Sequence, residues 1–325
     1  MKQQKELIIL TLDAGGTNFV FSAFQDFKQI SSPLILPSHS DNLEKCLETI
    51  FDGFHVLLNK VPYADAISFA FPGPANYELG IIGDPPNFKA FKGNVPLGPI
   101  LENKFGMPVY INNDGDLFGA GLIEMGFLDN INLQLKNAGS DKRFKNLIAL
   151  TLGTGFGSGI FIDGQLINGD NSCGGEVHKT LNPLNTSWNA EATVSTSAIQ
   201  RVYYNVAGIN INDQITPKDI AEIANGSKEG NQDAAAYSFK LFGRSLGASI
   251  ANLLTLIDGI VVIGGGLSQA WNLFAPDMFM EVNGKVSSPN GENFNRLAYQ
   301  VFDFEDEEQK KVFLAGHQQE LFIPG

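Results

Sequence analysis

Two glycine turns carry the densest chemical information in the 325-residue chain. DAGGT begins at Asp13 and GTGFGSG at Gly153, and each follows an apolar run that reads as a strand. Successive glycine N–H groups in a tight turn form an anion-binding concavity, and Thr17 and Thr154 add hydroxyl donors. Gly15, Gly16 and Thr17 in the first turn, with Thr154 and Gly155 in the second, are therefore candidates to hold phosphate oxygens. Two such turns facing each other can clasp a triphosphate from two sides. Only the first has a carboxylate, Asp13, and Mg²⁺ beside phosphates is bound by one or two carboxylates and several waters. Two other phosphate-binding patterns fail. GxxxxGK[ST] is absent, which disfavours a P-loop kinase. GTGFGSG resembles a dinucleotide fingerprint, but Ser158 stands where GxGxxG needs its last glycine, and a strand pattern follows where a helix is required.

A further carboxylate stands in Asn112-Asn113-Asp114, at a strand-to-helix junction. An Asp there can be a helix N-cap. It can equally be a base, because α/β proteins put their sites at the carboxyl ends of strands. The residues alone leave both readings open. Cys46 and Cys173 are the only cysteines, too few for a disulfide framework or a four-cysteine zinc centre. Cys173, Glu176 and His178 have a spacing that fits no structural zinc pattern.

The elements that must position these residues follow from an internal repeat. LIILTL begins at Leu7 and LIALTL at Leu147, an offset of 140, and a second apolar run follows each glycine turn. Each unit reads as strand, turn, strand: a β-hairpin opening each half of the chain. Apolar residues from Asp41 to about Lys60 recur at helical spacing, with Asp41 and Glu44 expected as a capping pair. AISFAF from Ala66 and PVYINN from Pro108 read as strands, and a helix is expected from Asp114. A long helix runs from about Gln232 to Leu256, followed by a buried strand at IVVIGGG. Strands alternating with helices and ending in glycine give an α/β protein with ligand loops on one edge. The polar segment Asp129–Lys145 lacks a sustained period and is expected to be an inter-domain crossing. It divides the chain into 1–128 and 129–325.

The formal net charge of −13 argues against nucleic acid or an anionic membrane as partner. The N-terminal apolar run is too short for a signal segment or a membrane span, so a cytoplasmic protein is expected.

Five segments, in order, resemble the ROK family (repressor, open reading frame, kinase). LDAGGTNFVFSAF resembles its first phosphate motif. FAFPGPANYELGIIGDPPNFKAFKGNVPL resembles its sugar-contact segment, and VYINNDGDLFGAG the segment of its catalytic aspartate. LTLGTGFGSGIFIDGQLINGDNSCGGE resembles the second phosphate motif, leading to a sugar-binding glutamate. IDGIVVIGGGLSQAW resembles the adenosine motif, and after Trp271 the resemblance is poor. The resemblance implies the α/β actin-like ATPase (ribonuclease H-like) fold: two domains with a cleft between them, the first domain open to completion by the C-terminal helix. It implies ATP-dependent phosphorylation of a hexose or hexose derivative by a homodimer, with ATP and Mg²⁺ as cofactors. Asp114 falls on the base, Asp13 on the Mg²⁺ anchor acting mostly through water, and Gly264, Gly265 and Gly266 on the adenosine contact. Gly73, Asn87, Asn113, Glu176, His178 and Glu191 fall on sugar contacts.

Departures from the family pattern lie in one region. The family shows Glu, two residues, then a His serving both zinc and sugar; here His178 follows Glu176 after Val177 alone. TLNPLNTSWNAEATVSTSA stands in place of the cysteine-rich zinc loop, so no zinc site is expected. His39, His55 and His317 are assigned to structure or surface, and Trp188 and Trp271 to core or interface. The acidic run from Glu305 reads as a solvated helix face. Asn87 and Asp114 precede the polar crossing and Glu176 and Glu191 follow it, so a sugar bridging the two halves is expected to close them. Two rivals remain. A ROK repressor needs a helix-turn-helix ahead of the first phosphate motif, and the first strand starts at about Glu6. A catalytically weak sugar sensor or sugar-binding ROK protein, without a DNA-binding domain, is the other.

Overall fold

The computed structural model describes residues 6–85, 88–210 and 215–316. The chain divides into two compact units, Met1–Leu117 and Phe118–Gly325, so the division falls ahead of the boundary expected at 128.

The first unit is built on β1 (Ile8–Ala14), β2 (Asn18–Gln25), β3 (Lys28–Gln29), β4 (Leu34–Pro37), α1 (Leu43–Leu58) and β5 (Ala66–Ala70). A small ribbon of β6 (Ala75–Asn76) and β7 (Ile81–Ile82), then α2 (Leu97–Phe105) and β8 (Val109–Asn112), complete it. The main sheet runs β3-β2-β1-β5-β8, with β4 also on β2. β1 and β2 form the antiparallel hairpin expected from the repeat, whereas β1, β5 and β8 are parallel. α1 covers the sheet because Cys46, Ile50, Phe54 and Leu57 recur every three or four residues on one buried stripe. Its cap is Asn42, whose side chain accepts from the Lys45 amide at 3.0 Å, so the expected Asp41–Glu44 pair is corrected. Glu44 lies in the first turn, where its charge suits the helix dipole. The core is unusually aromatic: Phe54 packs edge-on to Phe21 at 5.2 Å and Phe105 at 5.8 Å, and Phe71 lies 4.7 Å from Phe88.

α3 (Asp114–Glu124) carries the division between the units, and α4 (Phe127–Asn137) follows it. α4 overturns the reading of Asp129–Lys145 as an unstructured crossing. Leu128, Ile131 and Leu135 form its buried stripe, and the Asn, Gln and Lys residues between them hide the period. In the second unit β9 (Leu147–Leu152), β10 (Phe156–Ile162) and β11 (Gln165–Leu166) meet β12 (Ile260–Gly264) in the order β11-β10-β9-β12. β9 and β10 form the second hairpin of the repeat, and β12 lies parallel to β9. Ile148, Leu150 and Leu152 face one cluster and Leu147 another, so β9 is covered on both faces and reads as a continuous apolar run.

α5 (Thr196–Ala207), α6 (Pro217–Ala224), α7 (Gln232–Ile257) and α8 (Trp271–Val282) supply the helical layer. β13 (Lys285–Ser287) and β14 (Asn293–Asn295) form an exposed ribbon, and α9 (Glu307–Gly316) ends the described chain. α9 belongs to the second unit, where Phe313 packs on Phe144, Phe302 and Phe304. It buries no residue fully, in keeping with a solvated acidic face.

The aromatic packing sets a stability expectation. Phe54→Ala removes a ring that touches three others, and should destabilise the protein by about 3–5 kcal/mol. Urea unfolding measures this, and a loss under about 1 kcal/mol would mean that the neighbouring rings collapse into the space.

Candidate active site

Parallel pairing aligns the carboxyl ends of three strands in the first unit. Asp13 of β1 is in register with Ala70 of β5, and Ala70 with Asn112 of β8. Adjacent strands lie about 4.8 Å apart, so Asp13 and Asn112 sit roughly 10 Å apart along one sheet edge. The segments leaving this edge are the Gly15–Thr17 turn, the Pro72-Gly73 turn and the Asn113-Asp114 junction. Asn87 and His317 lie outside the described residues.

The first turn is shaped from outside. Buried Ser38 donates its backbone N–H to Thr17 O at 2.9 Å and its hydroxyl to Gly16 O at 2.6 Å. The Gly15 N–H closes the turn onto Asn18 O at 3.1 Å. The loop geometry is therefore held without a ligand, and Asp13 with Gly15, Gly16 and Thr17 is exposed. Tyr77 donates its hydroxyl to Phe71 O at 3.0 Å, bracing the chain just before Gly73.

The capping role left open for Asp114 falls to its neighbour. Asn113 Oδ1 accepts from the Asp116 N–H at 2.6 Å, so Asn113 takes the capping position and keeps its Nδ2 as a donor. Asp114 is exposed at the first position of α3, with Oδ1 accepting from the Gly115 N–H at 2.9 Å. Its carboxylate is not used as the cap.

The second unit has an equivalent edge. Thr151 of β9 is in register with Gly264 of β12, so the Gly153–Gly155 turn and Gly264–Gly266 leave neighbouring strands on one side. Thr196, opening α5, donates both its N–H and its hydroxyl to Gly153 O, at 2.8 and 2.9 Å. Glu191, in a 3-10 turn Ala190–Ala192, accepts the Phe156 N–H on Oε2 at 3.0 Å. A Cβ on Gly155 would lie 2.8 Å from that oxygen, so the glycine admits the carboxylate. Of the glycines expected at the adenosine contact, Gly264 leaves room for the Phe118 ring and Gly265 (φ 91°) for the Leu152 backbone. Gly266 alone has open space where a Cβ would stand.

Ser158, the residue that spoils the dinucleotide fingerprint, has a structural task. Its hydroxyl donates to Gly175 O, and the Val177 N–H donates back to it at 3.4 Å. This ties the Glu176 segment to β10. His178 Nδ1 lies 2.9 Å from Glu176 Oε2. That hydrogen bond, with the charge on His178, holds the Glu176 carboxyl below its ordinary range. The shortened Glu-to-His spacing thus produces an intramolecular pair.

The region expected to lack zinc has donors unsuited to a structural zinc centre: one histidine, already on Glu176, and no cysteine between 177 and 193. Cys46 is buried, its thiol pushed up to about 12 by desolvation. Trp271 is packed against Phe274 and donates to Asp303 at 3.0 Å, as a core residue should. Trp188 is not core: it is 45% exposed, with the Arg201 guanidinium 5.2 Å from its ring. Ser38, Ser158 and Thr196 position the site but were not read from sequence. Only Ser158 left a signal, as the wrong residue in a glycine pattern.

Comparison with known proteins gives a match to the ROK family over residues 9–301, which extends beyond Trp271, where the motif resemblance fades. The crystal structure of glucokinase from Parabacteroides distasonis ATCC 8503 is similar with 46% identity and a TM-score of 0.86, covering 100% of this chain and 89% of that one. Glucokinase from Thermotoga maritima is 26% identical over 295 residues, 83% of this chain and 86% of that protein. N-acetyl-D-glucosamine kinase from Vibrio cholerae serotype O1 is 26% identical over 275 residues, 79% and 83% of the two chains.

The Glu176–His178 pair has a pH signature. A carboxyl held below its unfolded value adds stability above the ordinary Glu range, and this is lost as pH falls through the folded value. His178→Ala should move the Glu176 titration upward toward the ordinary range, as read by carboxyl-carbon NMR. An unmoved titration would show that the pair does not form in solution.

Proposed function

The chain belongs to the ROK family, and we propose that it is an ATP-dependent sugar kinase acting on a hexose or hexose derivative. The observation that carries this reading is the row Asp13–Ala70–Asn112, which brings a carboxylate, a glycine turn and a second carboxylate at Asp114 to one sheet edge. Relatives named as glucokinase and N-acetyl-D-glucosamine kinase support a sugar acceptor. We infer from the same resemblance a homodimer working in the cytoplasm. Among the described residues no helix is long and apolar enough to cross a membrane.

Phosphoryl transfer requires positioning and charge neutralisation more than covalent chemistry from the protein. Asp114 accepts the proton of the attacking hydroxyl as the oxygen engages the γ-phosphorus and ADP departs. Its freedom from capping duty supports that role. Gly15, Gly16, Thr17, Thr154 and Gly155 donate to β- and γ-phosphate oxygens. Gly266 leaves open backbone for adenosine, with Gly264 and Gly265 shaping the strand end behind it. Mg²⁺, when bound, would neutralise phosphate charge, and the exposed Asp13 suits an anchor working mostly through water. Gly73, Asn87, Asn113, Glu176 and Glu191 read the sugar hydroxyls. His178 orients Glu176 and keeps it ionised, which makes it a better acceptor.

Turnover of ATP with a panel of hexoses and N-acetylhexosamines, read as ADP and sugar phosphate, tests the function. A protein that binds sugar and forms no sugar phosphate would instead be the sensor. Asp114→Asn keeps shape and hydrogen bonding but removes the base, so kcat should fall by about 10²–10⁴; near-normal kcat would exclude Asp114. Asp13→Ala should raise the Mg²⁺ concentration needed for half-maximal rate and leave sugar affinity nearly unchanged. An unaltered Mg²⁺ titration would remove Asp13 from the metal.

A further inference from the structure

The loop that stands where the family pattern carries a metal cross-link buries the side-chain amide of Asn182, which is 1% exposed. An asparagine amide has two donor and two acceptor positions, and all four are occupied. Nδ2 donates to Asn189 O at 3.0 Å and to Thr193 Oγ1 at 2.6 Å. Oδ1 accepts from the Leu184 N–H at 2.9 Å and the Asn185 N–H at 3.2 Å. The orientation of the amide is dictated chemically, because two backbone N–H groups can face only the oxygen and a carbonyl only the nitrogen. The Asn182 backbone N–H also donates to Trp188 O at 3.0 Å.

These bonds converge on Glu191 from both directions along the chain. Asn189 precedes it and caps its 3-10 turn through the Ala192 N–H at 3.1 Å. Thr193 follows it and passes its own hydroxyl proton on to Ala190 O at 3.3 Å. The Ala190 N–H donates to Thr180 O at 2.8 Å, two residues before the hub. Glu191 itself reaches the Phe156 N–H, so its carboxylate is placed between the hub and the second glycine turn.

We propose that Asn182 is a positioning residue, a hydrogen-bonded cross-link that does without metal what a coordinated ion would do, and that it sets Glu191 for the sugar. This rests on the kinase reading for the role of Glu191, whereas the cross-link itself does not. Removing the amide takes the acceptor from the Leu184 and Asn185 N–H groups and the donor from Asn189 O, a cost of the size that shifts a local equilibrium by about tenfold.

The test uses this chain and six variants of it. Asn182→Ala should raise KM for the sugar by about tenfold while kcat at saturating sugar falls less, because the carboxylate is misplaced and not removed. Thr193→Val deletes one spoke with little change of shape, and should move KM the same way by a smaller factor. Added to Glu191→Ala, the Asn182→Ala change should have almost no further effect on sugar KM, since coupled residues are not additive. A purely structural role predicts the opposite: less active protein, an unchanged KM and additive effects.

Trp188 reports the loop independently of turnover, since the chain has only two tryptophans. In a Trp271→Phe background, Asn182→Ala should increase acrylamide quenching of Trp188. Unchanged quenching overturns the cross-link. Increased quenching with unchanged sugar KM overturns the positioning role. If the wild type phosphorylates no sugar, the kinase reading fails, the positioning role fails with it, and the quenching result alone decides the cross-link.

Discussion

Backbone pairing between parallel strands is the constraint from which the candidate site derives. A parallel ladder has no freedom to slide where its strands are buried, because a one-residue slip turns every side chain to the other face. Leu10 and Leu12 on β1, Ile67 and Phe69 on β5, and Ile111 on β8 are all buried. Any slip would expose them. The row Asp13–Ala70–Asn112 is thus held by apolar side chains one or two residues upstream of the polar ones. In the second unit the same logic holds Thr151 beside Gly264, with β9 covered on both faces. The polar groups stand on strand ends because the core stops there.

The two hairpins of the repeat have diverged in what holds their turns. Ser38, uncharged, takes the carbonyls of the first turn with its N–H and its hydroxyl, and leaves the charge of the turn to Asp13. Thr196 takes the carbonyl of the second turn, and Glu191 supplies the carboxylate from a distant loop. Each turn therefore has one acidic group beside it, reached by different routes. In the first the acid belongs to the strand and faces solvent, free for a hydrated cation. In the second the acid arrives through a loop and is already bound to an amide. This difference in origin is a reason to give them different tasks.

The hairpins, the parallel sheet, the long helix α7 and the order of the polar segments were legible because each has a dense local signature: alternation, a 3.6-residue stripe, or glycine at a strand end. What escaped was decided by particular bonds and by burial, which residue types alone do not select. α4 was missed because Leu128, Ile131 and Leu135 are diluted by amides and lysine, and only the packed unit shows that stripe buried. The α1 cap was misplaced because Asp41, Asn42 and Glu44 all satisfy a capping pattern, and backbone geometry selects among them. Whether Asp114 served as the cap was open until the bonds showed Asn113 in that place. Residue type left core and interface both open for Trp188, and a cation on one face lets its ring tolerate exposure. The roles of Ser38 and Asn182 depend on contacts that no local pattern encodes.

Holding a loop with an amide in place of a metal changes how the protein ages. Thiolate centres are lost to oxidants and chelators; an amide is indifferent to both. Its own chemical weakness is slow hydrolysis to a carboxylate, which starts when the next residue's backbone nitrogen attacks the side-chain carbonyl. That step needs an N–H, and proline has none. The residue after Asn182 is Pro183. The neighbour therefore closes the cyclisation route by which an asparagine ordinarily decays, and a single ring slows the ageing of the amide.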